Sequence, residues 1–120
     1  MRLWRPVGAK ELVLIEASAW RRFPPRLPDQ PIFYPVLNFD YAEQIARDWN
    51  ARGDEEGYVL EFDVEDEVAR RYPEQTAGAA NLHRELWVPA EELEMFNDAI
   101  QGPIRLVARY ARGARVEAEA

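Results

Sequence analysis

The chain has 120 residues, of which 48% are hydrophobic and 31% are charged, and this is the balance of a single globular domain. A net charge of −7 argues against general affinity for nucleic acid, which depends on neutralising phosphates, and the absence of cysteine excludes disulfides and thiolate metal sites. No apolar run approaches the length of a membrane-spanning helix and the N-terminus lacks a signal-peptide core, so we expect a cytoplasmic protein without a membrane partner.

The first third of the chain predicts a strand, a helix and a stiff connection. Residues 3–7 indicate a short edge strand, because Pro6 cannot donate to a ladder on one side. Residues 9–19 favour a helix. Residues 20–31 contain four prolines and three arginines, so we expect an extended segment. This segment is either a linker packed on the surface or a loop that borders a pocket and brings arginines to an anion.

The middle of the chain predicts a strand over residues 32–37, followed by the clearest helix. Asp40 and Glu43 have the spacing of a capping box, and Asn38 is a competing cap. Gly53 is expected to end the helix. Its apolar stripe consists of Tyr41, Ala42, Ile45, Ala46 and Trp49.

The rest of the chain predicts alternating strands and short helices. In order, these are a half-buried strand over 58–64, a helical turn within 65–72, a small-residue loop over 73–81, a strand over 82–88, a helix from Pro89 to the Gly102-Pro103 stop, and a strand over 104–110. We therefore expect one α+β domain over residues 1–112, with about five strands and three or four helices, and a frayed tail over 113–120.

The strand at 82–88 concentrates chemically useful groups. Alternation places Leu82, Leu86 and Val88 on a core-facing side and His83, Glu85 and Trp87 on the other. The pair of His83 and Glu85 is either a surface pair or a catalytic carboxylate beside a hydrogen-bonding neighbour, and the spacing alone leaves both open. One histidine without cysteine argues against a zinc site, and the acidic residues at 61–67 lack the pattern of a calcium loop.

A three-part pattern of polar residues runs through these elements. Arg5 lies on the first strand, Tyr34 on the second, and Glu85 begins the ELWVP phrase of a late strand. This order resembles the signature of the ADP-ribosyltransferase fold, in which a His or Arg, a Tyr or Ser, and a Glu come from separate strands. The chain is more closely similar to short bacterial proteins labelled "ADP-ribosylation/crystallin J1". The matching phrases are LWRPVG (3–8), FPPRLP (23–28), PIFYPVLN (31–38) and ELWVP (85–89).

The resemblance implies a small split β-sheet with nicotinamide adenine dinucleotide (NAD) bound in its groove as a substrate. Arg5 would bind the ribose or a phosphate, and Tyr34 would stack on the nicotinamide. Glu85 would hold a ribose hydroxyl and stabilise the cationic sugar as nicotinamide leaves. These three are the expected catalytic residues. The expected cofactor-binding residues are Arg5, Tyr34, His83, Arg26 and Tyr41.

Three functions follow as alternatives. The first is transfer of ADP-ribose from NAD to an unidentified acceptor, which could be a protein, or hydrolysis of NAD. The second is a nucleotide- or ADP-ribose-binding domain without turnover. The third is a non-catalytic interaction module that uses the aromatic and arginine-rich residues 20–34 to bind a protein partner.

Overall fold

A computed structural model describes residues 1–79 and 82–116. Within them the strands are β1 (Arg2–Gly8), β2 (Ile32–Phe33), β3 (Glu56–Val64), β4 (Glu74–Thr76), β5 (Arg84–Leu86), β6 (Val88–Pro89), β7 (Ile100–Ala111) and β8 (Ala114–Val116). The α-helices are α1 (Ala9–Ala17), α2 (Phe39–Ile45), α3 (Asp66–Ala69) and α4 (Leu93–Asp98). A π-helical segment (Ala46–Asn50) extends α2, and a 3-10 turn (Ala90–Glu92) precedes α4. The α+β class is confirmed.

A four-stranded antiparallel sheet in the order β1-β3-β7-β8 forms the centre of the fold. β3 was predicted to be buried on one face only, and this holds at Glu61 and Asp63, which are partly exposed on the second face, but not at Val59. Val59 and Leu60 point to opposite faces, and both are fully buried. The reason is that helices cover both faces of the central strand, which sequence alternation alone does not reveal.

A single residue, Val36, joins this sheet to the remaining strands. It exchanges two backbone hydrogen bonds with Trp4 of β1, at 3.0 and 2.8 Å, and it also pairs with Glu85 of β5. β5 in turn pairs with β4. Pro6 lies two residues beyond Trp4, so its backbone faces the same side of β1 as the backbone of Trp4. The N–H that proline lacks would have pointed to this side, where the pairing with Val36 has already ended. The two halves therefore separate beside Pro6.

Two apolar cores fill the two faces of the central sheet. The larger core contains the packed rings of Phe23, Phe33, Phe62 and Phe96, whose centroids lie 4.8 to 6.5 Å apart in contacting pairs. The smaller core packs α2 and the π segment against the other face, and its buried residues are Val36, Tyr41, Ala42, Ala46, Ala51, Val59, Ala108 and Tyr110. The central strand β3, which helices and loops cover on its two faces, therefore separates the two cores.

Of the two caps predicted for α2 the structure shows Asn38, and the C-terminal end of the helix differs from its prediction. The side chain of Asn38, not the Asp40 capping box, accepts the hydrogen bond of the Tyr41 N–H at 2.7 Å. The helix changes to π geometry after Ile45 and ends at Asn50 before reaching Gly53. This change rotates Trp49 out of the apolar stripe, so its side chain is exposed where a regular helix would have buried it.

Other boundaries also differ from the sequence prediction. β4 lies in the stretch expected to be a loop, of which residues 80 and 81 fall outside the described residues. α4 ends at Asp98, and the expected stop at Gly102-Pro103 lies within β7. β8 pairs with β7 inside the expected tail, whose residues 117–120 are outside the described range. None of the described helices is long and apolar enough to span a membrane.

Candidate functional site

A cavity of about 520 Å³ opens where the two halves of the sheet separate. Its volume falls in the range of about 300–1,000 Å³ that is typical of small-molecule sites. The lining residues come from five separate segments of the chain: Arg5 and Pro6; Arg26; Tyr34 and Val36; Ile45, Trp49 and Asn50; and Glu85 and Trp87. Four residues predicted from the sequence, Arg5, Arg26, Tyr34 and Glu85, therefore line one cavity.

Glu85 is a buried carboxylate held by two neutral donors. The Tyr41 hydroxyl donates to Oε2 at 2.9 Å, and the Trp87 indole N–H donates to Oε1 at 2.9 Å. The residue is only 7% exposed and makes no ion pair with the described residues. Each carboxylate oxygen can accept a second hydrogen bond, so capacity remains for a ligand hydroxyl. Its negative charge is oriented but not neutralised.

Tyr41 supports Glu85 from behind and does not line the cavity. It reaches Glu85 from α2, while its ring packs in the smaller core. Burial, followed by the hydrogen bond to Glu85 and the charge of that carboxylate, raises the pKa of the Tyr41 phenol to about 12. The phenol therefore stays protonated and continues to donate over the physiological range.

Arg5 reaches the cavity already paired. Its Nε and Nη2 donate to the two carboxylate oxygens of Glu11 on α1, at 2.7 and 2.9 Å. Its third nitrogen, Nη1, donates to the Tyr34 carbonyl at 3.5 Å, and the guanidinium lies 4.6 Å from the centre of the Phe33 ring. This bidentate pair fixes the position of the arginine but offsets much of its charge.

Arg26 is the more available cation of the cavity. Its Nε donates to the Ile32 carbonyl at 3.1 Å, and its two terminal nitrogens make no hydrogen bond with the described residues. Burial, followed by the nearby charge of Arg5, lowers the pKa of the Arg26 guanidinium. The group nevertheless remains protonated, because arginine loses its proton only far above neutral pH. An anion that entered the cavity would reduce the electrostatic repulsion between Arg26 and Arg5.

Aromatic rings form much of the cavity rim. Tyr34 is 39% exposed and Trp87 is 45% exposed, and their rings meet edge to face with centroids 6.4 Å apart. Trp49, which is 65% exposed, also lines the cavity, from the π segment. Partly exposed aromatic rings offer stacking surfaces to a planar ligand.

His83 is not among the residues that line this cavity. Its Nδ1 accepts a hydrogen bond from the Ala79 N–H at 2.8 Å, so the ring proton lies on Nε2 and is donated to the Gln44 side chain at 2.8 Å. Its ring also meets Tyr41 edge to face at 4.9 Å. His83 therefore packs against the Tyr41 ring and does not line the cavity, although it is only two residues from Glu85 along the chain.

The sequence reasoning missed three side chains at or behind this cavity. Glu11 lies on α1 and was not paired with Arg5, since only the chain reversal after Gly8 brings the two together. Trp49 was assigned to the core, and Asn50 was not considered. A signal for Trp49 existed in the unusual richness in tryptophan, but no sequence pattern marked the π segment that exposes it.

Among the residues that the structure describes, no group of three or more His, Cys, Asp and Glu side chains is placed to hold a metal ion. Comparisons with models of known protein families, with curated proteins and with solved structures find no match.

Proposed function

We propose that the cavity binds NAD, or a related molecule containing ADP-ribose, and that Glu85 assists the departure of nicotinamide. The observation that carries the proposal is that Arg5, Tyr34 and Glu85, which lie far apart in the sequence, line one cavity together with Arg26. The resemblance to the ADP-ribosyltransferase fold and its split sheet forms part of this proposal, and the separation of the two halves beside Pro6, next to their junction at Val36, supports it.

The charges of the cavity match the two charged groups of this ligand. NAD carries an anionic pyrophosphate and a cationic nicotinamide ring. Arg26 has two unengaged donor nitrogens and lies close enough to Arg5 for the charges to interact, which suits a phosphate group. Glu85 has no cationic partner among the described residues and suits a positive centre. A ligand that bears both charges would therefore be favoured over one that bears either alone.

The reaction follows from the position of the uncompensated carboxylate. The bond between the ribose C1′ and the nicotinamide nitrogen breaks, and its electron pair leaves with nicotinamide, which becomes neutral. Glu85 accepts a hydrogen bond from a ribose hydroxyl and stabilises the positive charge that develops on the sugar. A hydroxyl of the acceptor, or water, then attacks C1′ and releases a proton. Tyr34 and Trp87 offer the rings on which nicotinamide could stack.

Release of nicotinamide from NAD tests the catalytic part of the proposal. We expect Glu85→Gln to lower the rate by about 100-fold or more, the magnitude associated with loss of one electrostatic contact to a transition state. The variant should fold, because the new amide can accept from the Trp87 N–H and donate to the Tyr41 oxygen. Glu16→Gln, on the exposed side of α1, is the matched control. Equal rates in both variants would remove Glu85 from the mechanism.

Calorimetric titration separates the alternatives. Heat on addition of NAD and ADP-ribose, together with nicotinamide release, supports the enzyme. Heat without release identifies a binding domain without turnover, an outcome favoured by the pairing of Arg5 with Glu11. Absence of heat with either ligand would reject the nucleotide site and leave the interaction module.

A further inference from the structure

The π segment places two side chains in the cavity wall that the proposed reaction does not use. Trp49 lines the cavity with 65% of its surface exposed, and Asn50 lies next to it. The Arg52 guanidinium lies 4.0 Å from the centre of the Trp49 ring and covers one face of it. Stacking of a planar ligand requires only the opposite face of the ring, and an indole presents a large and rigid surface for it.

The Asn50 amide is unengaged, in contrast to Arg5 and Glu85. It makes no hydrogen bond with the described residues, and its Oδ1 is buried without a partner. A buried polar atom without a partner lowers the stability of a fold and calls for an explanation. Rotation about the last side-chain bond can turn the amide toward the cavity without breaking any hydrogen bond within the protein.

The backbone around Asn50 is held firmly against the sheet. The absence of a side chain at Gly57 on β3 lets the π segment approach closely, with the Asn50 Cβ 2.9 Å from the position that a Cβ of residue 57 would take. The Ala51 N–H donates to the Ala46 carbonyl at 2.9 Å across the same turn. Rigid backbone placement is what a side chain needs in order to select a ligand by hydrogen bonding.

We infer that Trp49 and Asn50 form a subsite for an adenine-type base. The base stacks on Trp49, and the Asn50 amide accepts from the exocyclic N6 amino group and donates to the ring nitrogen N7. A carboxamide matches this donor and acceptor pair with two hydrogen bonds, whereas hypoxanthine presents two acceptors at the same edge and can use only one. The inference rests on the proposed function, because it supplies the adenine half of the same dinucleotide.

The test uses calorimetric titration with adenosine monophosphate, inosine monophosphate and nicotinamide mononucleotide. We expect the adenine nucleotide to bind about tenfold more tightly than the inosine nucleotide, the difference associated with one base-specific contact. Asn50→Leu should abolish this difference and leave the affinity for nicotinamide mononucleotide unchanged. Trp49→Ala should weaken both purine nucleotides alike. Leu27→Ala, an exposed residue outside the cavity lining, is the control.

Denaturant unfolding shows whether Asn50→Leu acts through the fold. We expect its unfolding midpoint to be unchanged or higher, because the apolar side chain removes the unpartnered oxygen. Equal affinity for the two purine nucleotides, or a difference that survives Asn50→Leu, would overturn the inference. Binding of nicotinamide mononucleotide without adenosine monophosphate would overturn this subsite alone and leave the proposed reaction. The reverse pattern would support the subsite and reject the nicotinamide half of the proposed function.

Discussion

The two groups that hold the Glu85 carboxylate in its confined site are neutral, so no cation among the described residues offsets its charge. An arginine in place of Tyr41 or Trp87 would orient the carboxylate equally well but would cancel the charge available to a cationic sugar. The phenol has a second advantage, since its pKa is raised to about 12 by burial and by Glu85 itself, so that it remains a donor. Tyr41 and Trp87 thus orient the carboxylate, and Glu85 alone supplies the negative charge.

Replacing Tyr41 with phenylalanine tests this arrangement. We expect the free energy of unfolding to fall by about 1.5–3 kcal/mol, the range for a hydrogen bond to a charged group. Folding raises the pKa of this phenol, so its contribution is complete below about pH 10 and is lost as the pH rises through about 12. Denaturant unfolding at several pH values should show that the difference between the variant and the wild type shrinks over this interval.

The matched control for Tyr41 is Tyr34→Phe. The Tyr34 hydroxyl makes no hydrogen bond with the described residues and its ring is partly exposed, so we expect a change within about 0.5 kcal/mol. A loss for Tyr41→Phe that persists unchanged above pH 12 would contradict the assignment of the raised pKa to the contact between Tyr41 and Glu85.

Glu11 sets how much positive charge the cavity presents. Its carboxylate takes up two nitrogens of Arg5 and also acts on Arg26 through space. We expect Glu11→Gln to lower the free energy of unfolding by about 1–3 kcal/mol and to tighten binding of ADP-ribose several-fold, because a negative charge near the phosphates is removed. Denaturant unfolding and calorimetry measure the two effects, with Glu16→Gln on the same helix as the control. A weaker affinity would show instead that Glu11 is required to orient Arg5.

At the scale of elements, the contact between β3 and the π segment depends on Gly57. An added Cβ would lie closer to the Ala46 carbonyl oxygen than real Cβ contacts allow, and the obstacle is backbone that cannot turn aside. We expect Gly57→Ala to lower the free energy of unfolding by about 1–3 kcal/mol, the usual cost of overpacking, and to displace Asn50. Denaturant unfolding, together with purine nucleotide titration, would register both consequences.

The partner of Gly57 across the sheet provides a strict comparison. Gly8 pairs with Gly57 in the register of β1 and β3, but an added Cβ there meets nothing within 4 Å. Gly8→Ala should therefore change the unfolding free energy by less than about 0.5 kcal/mol or raise it slightly. Similar losses in both variants would indicate that strand propensity, rather than the π segment, accounts for the effect.

The sequence predicted an element correctly where the pattern that specifies it lies within neighbouring residues. The alternation of residues 58–64 and 104–110 identified β3 and β7, and the prolines of residues 20–31 correctly excluded helix there. The π segment has no periodicity of its own, so Trp49 was placed in the core. The pairing of Val36 also could not be predicted from the sequence, because its partners Trp4 and Glu85 lie 32 and 49 residues away along the chain.

At the scale of the whole molecule, the cavity is a product of assembly. The sequence proposed Arg5, Tyr34 and Glu85 through a resemblance, and their common cavity became visible only once β1 and β5 met across Val36. The same folding separates His83 from Glu85, which local spacing had joined. His83 and Glu85 would share a face within a continuous strand. β5 begins only at Arg84, so His83 lies outside it and receives different partners, whereas distant residues are brought together by the sheet.

The segment that carries Arg26 and Tyr34 is held at its start by Asn97 and at its end by the pairing of β2 with β6. Asn97 on α4 is buried, and its amide accepts from the Phe23 N–H and donates to the Phe23 carbonyl, both at 2.9 Å. Phe23 itself is buried in the larger core. This contact joins residues that are 74 positions apart in the sequence, and it lies just before the proline-rich stretch. It therefore fixes the position from which that stretch runs to the cavity.

Asn97→Ala should therefore affect both stability and binding. Truncation leaves a backbone N–H and a carbonyl buried without partners, and at about 1–3 kcal/mol for each such group we expect a loss of about 2–6 kcal/mol in the free energy of unfolding. Affinity for ADP-ribose should fall as well, because Arg26 loses its fixed approach. Arg22→Gln is the control, since it breaks the exposed ion pair with Asp98 and the exposed hydrogen bond to the Glu94 carbonyl and should cost less than about 1 kcal/mol. If Asn97→Ala were destabilised yet bound ADP-ribose as tightly as the wild type under native conditions, the proline-rich segment would have to be positioned by its own stiffness and not by α4.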